Sequence, residues 1–234
     1  MTQVTVIISG GFSGPYRQLL PAFESSSGIS VTTLSGASQG NGPETIGAQL
    51  ARGVAADVVI LSREGLTELI AAGRIVEGSD VDLATAALGA AVRAGARKPE
   101  IGTVAAFKQA LLDAKVIAVP ASTSGIYLTM EIFPRLGIKE DKVRIMPRGS
   151  QSSALVAAGE ADIAVQPTSE LVHVAGLAYL GLIPDELQLV QTFCGAIVAG
   201  SKAREPARAL IGFLASERAA AAISSNGMQP APKR

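Results

Sequence analysis

The sequence predicts an α/β fold of two lobes. Three observations carry that expectation: short β-branched runs alternate with helical patterns, the alternation occurs twice, and two long extended stretches lie where a chain would cross between lobes. The 234 residues suffice for two lobes of about 100 residues each.

The first series reads as a strand over 4–8, a helix over 13–25, a strand over 30–34, a helix over 43–52 and a strand over 57–61, the βαβαβ signature of a parallel sheet. The second repeats it: strand 115–119, helix 124–136, strand 142–146, helix 150–158, strand 162–165. Residues 83–94 and 186–199 are the two extended stretches. The helices expected over 206–214 and 216–224 then return to the first lobe. Lobe one is thus residues 1–84 plus 195–234, and lobe two is residues 85–194. A single flavodoxin-like sheet is the alternative that the pattern leaves open.

Composition narrows the function. Apolar residues make up 48% and charged residues 17%, which excludes a disordered chain. Lys+Arg and Asp+Glu balance at 20 each, so no basic footprint marks a nucleic-acid binder. The lone cysteine, Cys194, lies in the apolar run 193–198 and reads as a buried small hydrophobe. The lone histidine, His173, falls on an expected helix and reads as a structural residue, so no metal site is expected. The first eight residues enter a strand pattern with no basic n-region, and no 18-residue apolar span occurs, so neither a signal peptide nor a membrane-inserted segment is expected. The compartment stays open: periplasmic if a leader was removed, cytoplasmic if the chain begins natively here. The expected state is a monomer.

In an open parallel sheet, ligands bind where strands end and helices begin, because the first N–H groups of each helix are unpaired. After the first strand come Ser9, Gly10, Gly11 and Ser13, with Ser13 placed to cap the helix; after the second, Ser38 and Gln39; after the third, Ser62 and Arg63. In the second series the same places hold Thr123, Ser124 and Tyr127, then Arg148 and Ser150, then Gln166. Any one such loop is explained by turn and cap chemistry, which uses Ser, Thr and Gly for its own reasons. Recurrence after six strands points instead to a small anionic ligand. No Gly-Lys-Ser/Thr follows the glycines, and the dinucleotide spacing is missing, so no cofactor is expected.

The stretches Ile8-Ser9-Gly10-Gly11-Phe12-Ser13, Leu20-Pro21-Ala22-Phe23-Glu24, Ala56-Asp57-Val58-Val59-Ile60-Leu61-Ser62, Thr123-Ser124-Gly125-Ile126-Tyr127 and Gly159-Glu160-Ala161-Asp162-Ile163-Ala164 resemble the molybdate-binding proteins of ABC transporters. The resemblance covers nearly the whole chain. It implies the type 2 periplasmic-binding-protein fold, two Rossmann-like lobes joined by two crossing strands, with a tetrahedral oxyanion held in the cleft and an ABC permease as partner. It also implies oxyanion contacts near Gly11, Gly36 to Ser38, Ser124, Gly149 to Ser150, and Pro167. Three places depart from the pattern: Gly11 stands where the family has a hydroxyl, Gln166-Pro167 replaces its tyrosine, and the loop from Ser38 to Pro43 is longer. The run Gln166-Pro167-Thr168-Ser169-Glu170 is more similar to a divergent branch of the superfamily that includes aconitate isomerase.

Two functions follow from these residues. The first is a solute-binding protein that closes its lobes around an organic carboxylate or oxyanion, with Arg148 supplying charge. The second is an isomerase of a small unsaturated carboxylate, which needs a base; Glu170 and Tyr127 are the candidates.

Overall fold

The structure, a computed structural model, describes residues 2–232. It divides into two compact units, Met1–Ala86 with Thr192–Arg234, and Ala87–Gln191.

The first unit opens with β1 (Gln3–Ile8), α1 (Gly10–Ser27), β2 (Ser30–Ser35), α2 (Ile46–Ala51), β3 (Val58–Ser62), α3 (Arg63–Ala71) and β4 (Val81–Ala86). Helix α1 spaces Phe12, Tyr16, Leu19 and Phe23 on one buried face, the helical period of an amphipathic element. Strand β3 is buried on both sides: Val58 and Ile60 enter one core cluster while Val59 and Leu61 enter another, as a period of two requires. The cap of α2 is Thr45, whose hydroxyl accepts from the Ala48 N–H, so this helix starts three residues later than the expected 43.

The second unit holds β5 (Leu88–Arg93), α4 (Val104–Asp113), β6 (Ile117–Pro120), α5 (Thr123–Tyr127), α6 (Phe133–Leu136), β7 (Val143–Met146), α7 (Gly149–Ala158), β8 (Ile163–Pro167) and β9 (Leu177–Leu182). A π-helical turn, Leu128–Ile132, separates α5 from α6, so the single helix expected over 124–136 is three pieces. The chain then returns to the first unit through β10 (Gln191–Ile197), α8 (Arg204–Leu214), α9 (Glu217–Ser225) and β11 (Gln229–Pro230).

The two units carry separate sheets, which removes the single-sheet alternative. Their orders are β11-β4-β10-β3-β1-β2 and β7-β6-β8-β5-β9. Strand β1 is parallel to β2 and β3, and β6 is parallel to β7 and β8. Neither sheet is wholly parallel, however. Strand β10 runs antiparallel to β3, and β5 antiparallel to β8 and β9. Both extended stretches enter their sheets against the direction of the βαβ strands.

Each unit ties down the start of its third βαβ strand with an aspartate. Asp57 accepts from the Thr5 N–H at 2.9 Å and from the Ser201 hydroxyl at 2.7 Å. Asp162 accepts from the N–H groups of Lys115 and Val116 at 2.8 and 2.9 Å. One face of the second sheet is lined by the alanines Ala91, Ala118 and Ala164, against which Val156 of α7 packs. Small residues let α7 approach the sheet closely, and its first turn is thereby fixed at the ends of β7 and β8.

Candidate functional site

All the strand-end residues singled out above lie at C-terminal ends of parallel strands, β1, β2 and β3 in one unit and β6, β7 and β8 in the other. The two sets differ in how their polar atoms are satisfied.

In the first unit most are paired internally. Ser62 is fully buried at the N-cap of α3, where its hydroxyl accepts from the Gly65 N–H at 3.4 Å, and its own N–H donates to the Ser38 hydroxyl at 3.0 Å. Gln39 donates to the Glu68 carboxylate. Arg63 is bound to Asp80 at 2.6 Å and to Asp82. Although burial opposes it, these two carboxylates neutralise Arg63 and hold its guanidinium above the usual arginine range, so its charge is already balanced within the unit. The Cys194 thiol is buried and donates to Asp82 at 3.2 Å; burial raises it far above the usual thiol range, which makes it an inert core residue as expected.

The first loop keeps one open group. Helix α1 begins at Gly10 with Ser9 at the N-cap position, not at Ser13, whose hydroxyl instead donates to the Gly10 carbonyl at 2.7 Å. Ser9 is buried and its hydroxyl has no partner. Gly11 is pressed against the ring of Phe193: a Cβ added there would lie 2.0 Å from the ring edge. No side chain fits at position 11 while Phe193 stands in β10.

In the second unit the open groups cluster. Ser124, in the first turn of α5, is 1% exposed with an unpartnered hydroxyl, and Thr123 beside it is buried. Arg148 occupies the N-cap position of α7 with its Nε buried and unpartnered. Ser150 is exposed on the first turn of that helix. Ser152, fully buried, and Ser169 have unpartnered hydroxyls, and the side-chain carbonyls of Gln151 and Gln166 accept nothing. The Gln166 amide donates to the Ser153 hydroxyl at 2.7 Å and to the Glu170 carbonyl at 2.9 Å; Ser153 donates to that same carbonyl at 2.8 Å. A buried polar group without a partner costs about 1–3 kcal/mol, so such a cluster is a structural expense that a ligand can relieve.

Glu170 does not begin a helix. It ends a three-residue 3-10 turn, Thr168–Glu170, and lies near the start of α7: a Cβ on Gly149 would be 2.2 Å from Oε2. The residue is half-buried, and desolvation pushes its carboxyl up to about 7. Tyr127 packs on the core of its unit, and its hydroxyl makes long bonds to the carbonyls of Leu187 and Gln188 at 3.5 and 3.4 Å. His173 is exposed in a turn at φ 61°, a correction to the helix expected there. Sequence reasoning placed Gln151, Ser152 and Ser169 in strand-end loops without singling them out, and passed over Phe193. The three polar residues carried the same signal as their neighbours, whereas the role of Phe193 depends on strand pairing.

The model of the bacterial extracellular solute-binding proteins matches residues 4–229. The chain belongs to that family. Among curated proteins, an aconitate isomerase of a Pseudomonas species is similar to this solute-binding protein at 40% identity, over 99% of this chain and 89% of its own length. Among solved structures, the periplasmic molybdate-binding protein of Azotobacter vinelandii superposes with a TM-score of 0.79 at 20% identity, covering 98% of this chain and 100% of its own. The sulfate-binding protein of Mycobacterium tuberculosis superposes with a TM-score of 0.78 at 19% identity, covering 98% and 87%. These likenesses establish the two-lobed periplasmic-binding-protein fold. No group of three or more metal-ligating side chains occurs among the described residues.

Proposed function

We propose that this solute-binding protein takes a small organic polycarboxylate, held by the strand-end donors of the second unit. The observation that carries the reading is the set of buried, unpartnered donors Ser124, Arg148 Nε and Ser152, each in or beside the first turn of a helix that follows a strand. The relative named aconitate isomerase supports the same class of ligand. In this reading a membrane permease is the natural recipient of the ligand. A thermal-shift series with trans-aconitate, citrate, sulfate, molybdate and a neutral sugar tests it. Polycarboxylates are expected to raise the melting temperature most; stabilisation by the sugar alone, or by molybdate alone, refutes it.

A second reading, isomerisation of an unsaturated tricarboxylate, is favoured by one observation: Glu170, raised to about 7 by burial, is suited to move a proton near neutrality. As base it would take a proton from the methylene next to a ligand carboxylate. The electron pair left behind would delocalise across the double bond, and Glu170, whose acquired proton exchanges with solvent, would return a proton at the other end of the allylic system. Incubating trans-aconitate with the protein in D2O separates the readings. Deuterium placed on carbon by wild type and not by Glu170→Gln supports turnover; incorporation no faster than in buffer leaves binding alone.

A further inference from the structure

The meeting of Glu170 with the start of α7 has no structural purpose of its own. Among the described residues no hydrogen bond or ion pair reaches the Glu170 carboxyl, although it lies so close to Gly149 that no Cβ would fit there. The backbone carbonyl of Glu170 is held from two sides, by Ser153 and by the Gln166 amide, so the residue is anchored where it stands. In the ten-residue α7 the N–H groups of Gly149 and Ser150 have no acceptor, as is usual for the first turn of a helix. Two fully buried side-chain atoms nearby in the chain, Ser152 Oγ and Gln166 Oε1, are also unpartnered.

We propose that the first turn of α7 and Glu170 form one carboxylate site, in which a protonated Glu170 donates a hydrogen bond to the ligand, so that binding takes up a proton. This deepens the binding reading and rests on it. The reasoning is electrostatic. A ligand carboxylate settling on the open N–H groups comes within reach of the Glu170 carboxyl, and two carboxylates in a desolvated site cannot both stay ionised. Neither α7 nor β8 contains an ionisable residue that could carry the proton or offset the charge. Arg148 stands at the N-cap of α7, and His173 is exposed three residues beyond Glu170. Burial is the cause of the shift at Glu170, and an incoming anion adds to it in the same direction. The arrangement selects ligands that accept a hydrogen bond at this point. An ionised Glu170, required by the base of the isomerase reading, would repel them.

Calorimetry with the full chain and trans-aconitate as the probe, near pH 7.5 in buffers of different ionisation enthalpy, reads the proton directly. The expected result is uptake of more than roughly half a proton per ligand, with affinity falling about tenfold per pH unit above about pH 7.5 as the free carboxyl ionises. In Glu170→Gln the uptake is lost and the affinity no longer varies with pH, while His173→Gln behaves as wild type. The pH dependence of wild-type affinity carries the test even if the Glu170 variant folds poorly. Binding whose heat is independent of buffer, or uptake that persists in Glu170→Gln, overturns this proposal and leaves the binding reading standing. Absence of binding by any carboxylate at any pH overturns both.

Discussion

The two units follow one plan and treat its polar strand ends in opposite ways. In the first, Arg63 is spent on Asp80 and Asp82, Ser38 meets the Ser62 N–H, and Cys194 meets Asp82. In the second, Ser124, Arg148 Nε, Ser152, Ser169 and the side-chain carbonyls of Gln151, Gln166 and Gln191 are left open. Similar residue types thus serve mostly as mortar in the first unit, apart from the open Ser9 hydroxyl, and more often as unpaired polar groups in the second. Composition of the loops does not distinguish these roles; the partner each atom finds does.

The largest expected effect tests how tightly each unit closes the turn after a strand. A Cβ on Gly125 would lie 1.6 Å from the Pro120 carbonyl, and one on Gly65 would lie 2.3 Å from the Ser38 carbonyl. Backbone cannot step aside as a side chain can. Gly125→Ala is expected to cost at least about 3 kcal/mol and Gly65→Ala somewhat less, in chemical denaturation; tolerance of Gly125→Ala would show that α5 can shift.

Next is the pH dependence contributed by the second unit. The folded pKa of Glu170, about 7, lies above its unfolded value near 4.5. Its contribution to stability is therefore fully present below 4.5, declines as the unfolded chain ionises first, and is lost once pH passes 7. The span of that loss is up to about 3 kcal/mol. Glu170→Gln should flatten the melting temperature between those limits and leave the protein more stable than wild type at pH 8. A wild-type-like profile in the variant would remove Glu170 as the cause.

The two arginines sharpen the comparison. Arg63→Ala leaves two half-buried carboxylates without their cation and is expected to destabilise by about 1–2 kcal/mol, discounted for their solvent exposure, with ligand affinity little changed. Arg148→Ala is expected to do the reverse, lowering affinity more than tenfold with melting temperature nearly constant. The smallest effects fall on serines. Ser152→Ala removes a buried unpartnered hydroxyl and should stabilise the free protein by about 1 kcal/mol while weakening binding; Ser38→Ala breaks an existing bond and should destabilise by a similar amount.

Much of the fold was legible because it rests on local periodicity. The strands β1, β2, β3, β6, β7 and β8 are short β-branched runs, and α1, α7, α8 and α9 follow from helical spacing. The helices α3 and α4 and the strand β9 were not placed, and the π-helical turn at Leu128–Ile132 leaves no mark in the apolar pattern, since it changes which carbonyl is reached without changing the residues. The antiparallel entry of β5 and β10 was hidden for another reason: strand direction depends on the path of the whole chain. At the candidate site the loops were chosen because small hydroxyl residues after strands are visible in sequence, and unpartnered polar atoms fall in several of them. The pairing of Arg63 with Asp80 and Asp82 was not, since it joins segments that only the sheet brings together.

The contact between Gly11 and Phe193 has an evolutionary consequence. A descendant that gained a serine at position 11 would first meet the aromatic ring, and one that lost the ring first would open a cavity in the core shared by Phe12, Val58 and Ile60. Either single step is penalised, and the pair together is not. A route from this chain to one with a hydroxyl at position 11 therefore crosses a fitness valley, which ties the residue type of the first loop to a strand far along the chain.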